Sequence, residues 1–205
     1  MFTQIGAKPE SDFSDPLGML GDCHKRILFF LNDLVRLAEG APSGRLDVAE
    51  RGALERALRY FKESGPRHTS DEEESLFPRL MALNSERVGE LLVMVARLEA
   101  DHISAGLAHL EIEAIGMFWL ADGFISHGDV IRLKSLLRSL SRMYEHHLAI
   151  EDREVFPSAA ALLSDHDKTE IGREMAKRRG LSPEVVRRPL QEVPQFHNTD
   201  VEVQS

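Results

Sequence analysis

The segment His68-Thr69-Ser70-Asp71-Glu72, followed by Leu76-Phe77-Pro78, returns later in the chain as His147-Leu148-Ala149-Ile150-Glu151, followed by Val155-Phe156-Pro157. In both copies the glutamate lies four residues after the histidine, and Phe-Pro begins nine residues after it. The copies are 79 residues apart. Upstream, His24 and His102 stand on apolar stripes and are 78 residues apart. The chain therefore reads as one helical hairpin written twice, with His on the first arm and His-x-x-x-Glu on the second.

The flanking periodicity is helical. Asp15-Pro16 reads as an N-cap followed by proline at the first helical position. Leu17, Leu20, His24, Ile27, Leu31, Leu34 and Ala38 then recur at three- and four-residue steps, which is one helix face. After the turn cluster at residues 40–44, Asp47 and Glu50 predict a capped second helix. That helix kinks at Gly65-Pro66 and ends near Pro78. A long third helix is predicted from near Ser85 to about Trp119, with Leu91, Val95, Leu98, His102, Ala105 and Ile112 inward. Ser126 caps a fourth helix, which carries Tyr144 and His147 inward and ends near Pro157. A short helix follows Asp165 and stops at Gly180, after basic residues suited to a helix C-terminus. No convincing period-two run occurs. The expected fold is all-α, an up-down-up-down four-helix bundle with an extra short C-terminal helix and tail. The expected divisions are an N-terminal extension at residues 1–14, the bundle with its short helix at 15–180, and a tail at 181–205.

Composition narrows the function. Of 205 residues, 34 are acidic and 25 are Lys or Arg, for a net charge of −9. Such a chain gains nothing from phosphate counterion release or from an anionic lipid surface, so neither nucleic acid nor membrane is an expected partner. No run of 18 or more apolar residues is present to span a bilayer. The N-terminus lacks a basic n-region and an apolar h-region, so the expected location is cytoplasmic. One cysteine, Cys23, rules out an intrachain disulfide and a cysteine cage. Histidine, with nine copies, is the residue type left to carry chemistry.

Residues i and i+4 share a helix face with Cβ atoms about 5–6 Å apart. A histidine and a glutamate so spaced can reach one metal ion or two adjacent ones. Two facing hairpins supply four imidazoles and two carboxylates, more than a four-coordinate zinc with an open position requires. The set suits a dinuclear site with metals about 3.5–4 Å apart. Imidazole with carboxylate favours iron, then manganese, with zinc less favoured. The bare His-x-x-x-Glu spacing is weak, because His109/Glu113 and His166/Glu170 also satisfy it. The Phe-Pro flank and matched upstream histidine set the two copies apart. Their apolar stripes would also leave several buried polar groups unpaired without a metal.

The pattern His24, His68-x-x-x-Glu72, His102, His147-x-x-x-Glu151 resembles the hemerythrin-like HHE cation-binding family over residues 15–180. The resemblance implies a non-haem diiron centre, two iron ions with an oxo or hydroxo bridge, inside a four-helix bundle. It implies His24, His68, His102 and His147 as terminal ligands and Glu72 and Glu151 as bridges. Oxygen-carrying members have a second histidine four residues after the third-helix ligand. Here that position is Gly106. The expected partner is therefore a small ligand, namely oxygen, nitric oxide or peroxide, in an oxidative or nitrosative stress setting. The reading leaves open an oxidoreductase, a redox or oxygen sensor, and an iron-handling protein akin to iron–sulfur repair. The absence of cysteine from residues 1–22 lowers the last.

Other residues rank lower. His109 lies about 10.5 Å along the axis from His102 and reads as a polar contact between helices. Tyr144 is one turn before His147. Glu99 is an outer residue at best. Glu73 and Glu74 read as solvated charge, and Cys23 as facing away from the site. His127, His146, His166 and His197 read as peripheral.

Overall fold

The computed structural model describes residues 11–41, 44–83 and 88–182. The expected N-terminal extension and tail lie outside the described residues over 1–10 and 183–205, as does the expected third-helix start at Ser85.

Helix α1 spans Pro16–Gly40, capped by the Asp15 side chain with Pro16 in the first turn. Helix α2 spans Val48–Glu63 and opens with the Asp47–Glu50 capping box. The chain stays helical through Ser64 into α3, Gly65–Asp71, as a kink requires. A π-helical turn, Glu72–Leu76, leads into α4, Phe77–Met81. Helix α5 spans Val88–Asp122 and α6 spans His127–Ile150, the latter opened by a Ser126–Asp129 capping box. A second π-helical turn, Glu151–Val155, leads into α7, Phe156–Leu162, and α8 spans Asp165–Arg178. Among the described residues the only β pairing is an isolated bridge between Arg45 and Phe124. The fold is all-helical, with the further C-terminal helix in place.

The prolines do not end the helices, contrary to expectation. Pro78 and Pro157 lack an N–H, and a proline ring crowds the carbonyl four residues back. The chain widens to accommodate this. Phe77 N–H donates to the Glu72 carbonyl and Phe156 N–H to the Glu151 carbonyl, each five residues back. Residues five apart then share a face, so Glu72 and Phe77 are both fully buried. Single π turns of this kind concentrate at functional sites.

Helix α1 packs on α2 and α6, and α5 packs on the same two, closing a ring of helices. Helix α8 lies across α1, α3 and the first π turn. Two apolar clusters fill the interior. One is built from Ile27, Leu34, Leu58, Ile112, Trp119 and Leu137 with their neighbours. The other gathers Leu20, Leu76, Phe77, Leu98, Val155 and Ile171. Along the chain His24, His68, Glu72, His102 and Glu151 fall between members of the two clusters, and His147 lies beside Leu148, where the first cluster ends on α6. At the far end Gly44, at φ +71°, brings its carbonyl to the Trp119 indole N–H at 2.8 Å. A Cβ there would sit 2.1 Å from the Ile125 carbonyl oxygen, so only glycine fits.

Candidate metal centre

Four helical segments deliver the motif residues to one place. His24 comes from α1, His68 from α3, His102 from α5 and His147 from α6. Glu72 and Glu151 are each the first residue of a π turn. His24, His68 and His147 are buried and both glutamates are completely so, while His102 is slightly more open. His24 and His68 form one imidazole pair with ring centres 5.1 Å apart, and His102 and His147 form another at 4.8 Å.

The carboxylates lie between these pairs. Glu72 Oε1 is 3.5 Å from His68 Nε2 and 3.9 Å from His24 Nε2, whereas its Oε2 is 3.4 Å from His102 Nε2. Glu151 Oε2 is 3.3 Å from His24 Nε2, whereas its Oε1 is 3.2 Å from His147 Nε2. Ligand atoms of His24, His68, Glu72 and Glu151 come within 4.8 Å of one another, and so do those of His102, His147 and Glu151. Both groups could hold a metal ion.

The polar bookkeeping points the same way. Among the described residues, every buried side-chain N or O atom without a hydrogen bond belongs to this cluster: Nε2 of His24 and His102, both ring nitrogens of His68, and all four oxygens of Glu72 and Glu151. Natural interiors rarely leave such groups unpaired, and a cation at the centre would satisfy nearly all of them. Without one, the residues lean on each other's charge. Burial disfavours charge on His24, but Asp152, Glu151 and Glu72 outweigh it and raise its pKa to about 11. At His102 burial is likewise overcome, by Glu72 and Glu73, and the pKa rises to about 9. Burial would raise the Glu72 carboxyl, yet His68, His102 and His24 hold it well below the usual carboxylate range.

A family model of the hemerythrin HHE cation binding domain matches residues 15–159. The chain belongs to the hemerythrin HHE cation-binding family. An uncharacterized protein of Haemophilus influenzae is 25% identical over 167 residues, which cover 82% of this chain and 91% of that protein.

This hemerythrin-like cluster has an outer layer that the sequence reading missed or misjudged. His24 Nδ1 is 2.8 Å from Asp152 Oδ1, His102 Nδ1 is 2.9 Å from Glu73 Oε1, and His147 Nδ1 is 3.5 Å from Asp101 Oδ2. Glu73 is thus not solvated charge. It is Asp101, not Glu99, that reaches an imidazole. Glu74, by contrast, is exposed and pairs with Arg178 at 3.3 Å. The usable signal was symmetry: Glu73 follows Glu72 as Asp152 follows Glu151, and Asp101 precedes His102 as Cys23 precedes His24. Cys23 does not face away. It is 7% exposed, accepts a hydrogen bond from Arg26 at 3.0 Å, and interacts with His68.

A cavity of about 650 Å³ opens beside the cluster. His68, His102, His147, Gly106, His109 and Tyr144 are among the residues that line it. His109 Nε2 and the Tyr144 hydroxyl are 3.0 Å apart, so His109 is a polar contact between α5 and α6. Burial lowers the His109 pKa to about 4. A Cβ on Gly106 would meet nothing within 4 Å, so close packing does not explain that glycine. Gly116 is the packed one, with Leu58 atoms 2.7 Å from such a Cβ. His146 and His166 are exposed, His127 opens α6, and His197 lies outside the described residues.

Proposed function

We propose that residues 15–180 form a hemerythrin-like up-down-up-down four-helix bundle holding two iron ions. One would sit with His24 and His68, the other with His102 and His147, and Glu72 and Glu151 would bridge them. The observation that carries this reading is the division of each carboxylate. The two oxygens of Glu72 face imidazoles of opposite pairs, and so do those of Glu151. A mononuclear site gives no reason for that division in both glutamates. Six protein ligands shared between two metals leave coordination positions free, which suits a small exogenous ligand. We propose that this ligand is oxygen, nitric oxide or peroxide.

A diiron pair, when bound, supplies ligand binding and one-electron redox chemistry. The chain's residues set its surroundings. Asp152, Glu73 and Asp101 orient imidazoles through Nδ1 and leave Nε2 aimed inward. Leu58, Phe61 and Ile112 are among the side chains that make the cavity lining largely apolar. Tyr144, with His109 behind its hydroxyl, offers a polar atom inside that cavity.

A sensor without turnover is the second reading, and Asp71 favours it. That fully buried carboxylate immediately precedes Glu72 and binds Arg178 and Arg179, at the C-terminal end of α8, at 3.0 and 2.6 Å. Movement at Glu72 therefore has a direct path to the C-terminal helix.

Elemental analysis of chain purified without chelator tests the core of the proposal. Two irons per chain are expected, with each of Glu72→Ala and Glu151→Ala losing metal and stability. One iron or fewer under ample iron, or full metal and unchanged melting in both variants, overturns it. Steady peroxide or nitric oxide consumption separates enzyme from sensor.

A further inference from the structure

Helix α5 is apolar on two opposite sides. Its inward side carries Leu98, Ala105, Ile112 and Trp119, seven residues apart and buried. Its outward side carries Val93, Ala96, Ala100, Ile103, Leu107, Leu110, Ala114, Met117 and Ala121, every one of them exposed. The steps between these nine residues alternate three and four without exception. That is an unbroken a/d seam, the pattern by which two helices pack knobs into holes. The larger members are conspicuously open: Val93 72%, Ile103 69%, Leu107 66%, Leu110 65% and Met117 52% exposed. By length and composition, residues Gly89–Asp122 would suffice to cross a membrane, with only 22% of the most apolar window buried. The same helix nonetheless bears His102 of the metal cluster, Asp101 beside His147, and Glu111 and Glu113 paired to Arg132 and Lys62. A helix so tied to its neighbours and so apolar on its far side is one whose far side is covered by protein.

We propose that a second copy of this chain covers it, with the two α5 helices packed antiparallel about a twofold axis passing near Ala108 and His109. The seam is self-complementary in that orientation. It sets Ala100 against Met117, Ile103 against Ala114, Leu107 against Leu110 and Ala96 against Ala121, each pair formed twice. Large residues meet small ones at Ala100–Met117 and Ile103–Ala114, the centre is a leucine cluster, and only the end layers, Ala96 with Ala121, are small on both sides. A parallel pair in register would set Ala96, Ala100, Ala114 and Ala121 each on its own copy, four loosely filled layers against two in the antiparallel form. The flanking charges also fit the antiparallel form, because Glu111 faces Ser104, Glu113 faces Gly106 and Arg97 faces Phe118, so like charges do not meet. In this register the overlap runs from Ala96 to Ala121, roughly 38 Å, which over a helix width of about 12 Å gives a footprint near 450 Å² per copy. Two copies reach about 900 Å², the scale of a weak, reversible interface, which fits a dimer that forms at micromolar concentration. Leu107 and Leu110 also line the cavity beside the metal cluster, so the second copy stands at its edge.

Sedimentation equilibrium of the full metal-loaded chain tests this. A dimer is expected at micromolar concentration. Ala114→Glu with Met117→Glu, both outside that cavity, should weaken it at least 100-fold while helix content and metal content stay unchanged. Ala100→Cys with Met117→Cys should give a covalent dimer on mild oxidation, whereas Ala100→Cys alone should not. A monomeric full chain, a dimer indifferent to the two glutamates, or ready cross-linking through Ala100→Cys alone each overturns the proposal. If the full chain is monomeric and dimerises once cut after Ser182, the occupant is the chain's own C-terminal segment instead. Vesicle binding by a monomer that the same glutamates abolish assigns the face to lipid, again overturning it.

Discussion

His24 Nδ1 and Asp152 Oδ1 are 2.8 Å apart although 128 residues separate them. Asp152 directly follows Glu151, so one short segment supplies both an inner carboxylate and the group that fixes an imidazole of the other hairpin. A carboxylate on Nδ1 sets the tautomer and leaves Nε2 as the metal-facing lone pair. Asp152→Ala is therefore expected to lower metal affinity about 10–100-fold with little loss of fold. Competition against a chelator of known affinity measures it, and an unchanged affinity removes Asp152 from this role.

Gly106 stands in open space on α5. Gly106→Ala should stabilise the protein by up to about 1 kcal/mol, since it gains helix propensity and meets no neighbour. Denaturant midpoints would show it, and a loss of stability would mean that the position is constrained after all. The missing side chain also leaves the cavity roomy beside His102. Anaerobically reduced protein mixed with oxygen in a stopped flow is expected to autoxidise promptly. A long-lived adduct, reversed by removing oxygen, would restore an oxygen carrier.

Buried His109 has a pKa of about 4, below the 6.5 of a free histidine. It is neutral in the fold, while the unfolded chain binds a proton as pH falls below 6.5. The native state is thus penalised progressively from pH 6.5 down to 4, by at most about 3 kcal/mol, and not at all above that window. Melting between pH 7 and 4.5 should fall less steeply in His109→Gln than in the parent. Equal slopes would assign the acid sensitivity elsewhere.

Asp71 is fully buried between Arg178 and Arg179, whose side chains remain about one-fifth exposed. Asp71→Ala removes both ion pairs but lets the arginines turn to water. The expected cost is about 2–3 kcal/mol, less than stranding a buried charge. Chemical denaturation checks it, and hydrogen exchange should show α8 opening first.

Much of this was legible in the residues. The inward faces of α1, α5 and α6 follow the apolar period, and Asp47 and Ser126 cap helices as expected, whereas the cap of α8 is Ser164, with Asp165 the first helical residue. The six inner residues were readable because the motif occurs twice. The π turns were not, because the hydrogen bond from Phe77 to Glu72 is a local answer to Pro78 that periodicity does not encode. Nor was the pairing of Glu73 with His102, which joins residues on different helices whose relative rotation only packing decides. The outward side of α5 escaped notice for another reason. Its apolar period coexists with the inward one, and periodicity alone does not distinguish the stripe that meets the core from the one that faces out.

The match to the HHE family stops at residue 159, yet Arg178 and Arg179 reach back from beyond it to grip Asp71 and Ser75. What descent has kept recognisable is therefore shorter than what is mechanically joined. A chain ending where the likeness ends would retain all six inner residues and lose the fastener on one of the two turns that aim them. Relatives that share the motif but lack those arginines must secure that turn by other means, and their centres need not be equally stiff.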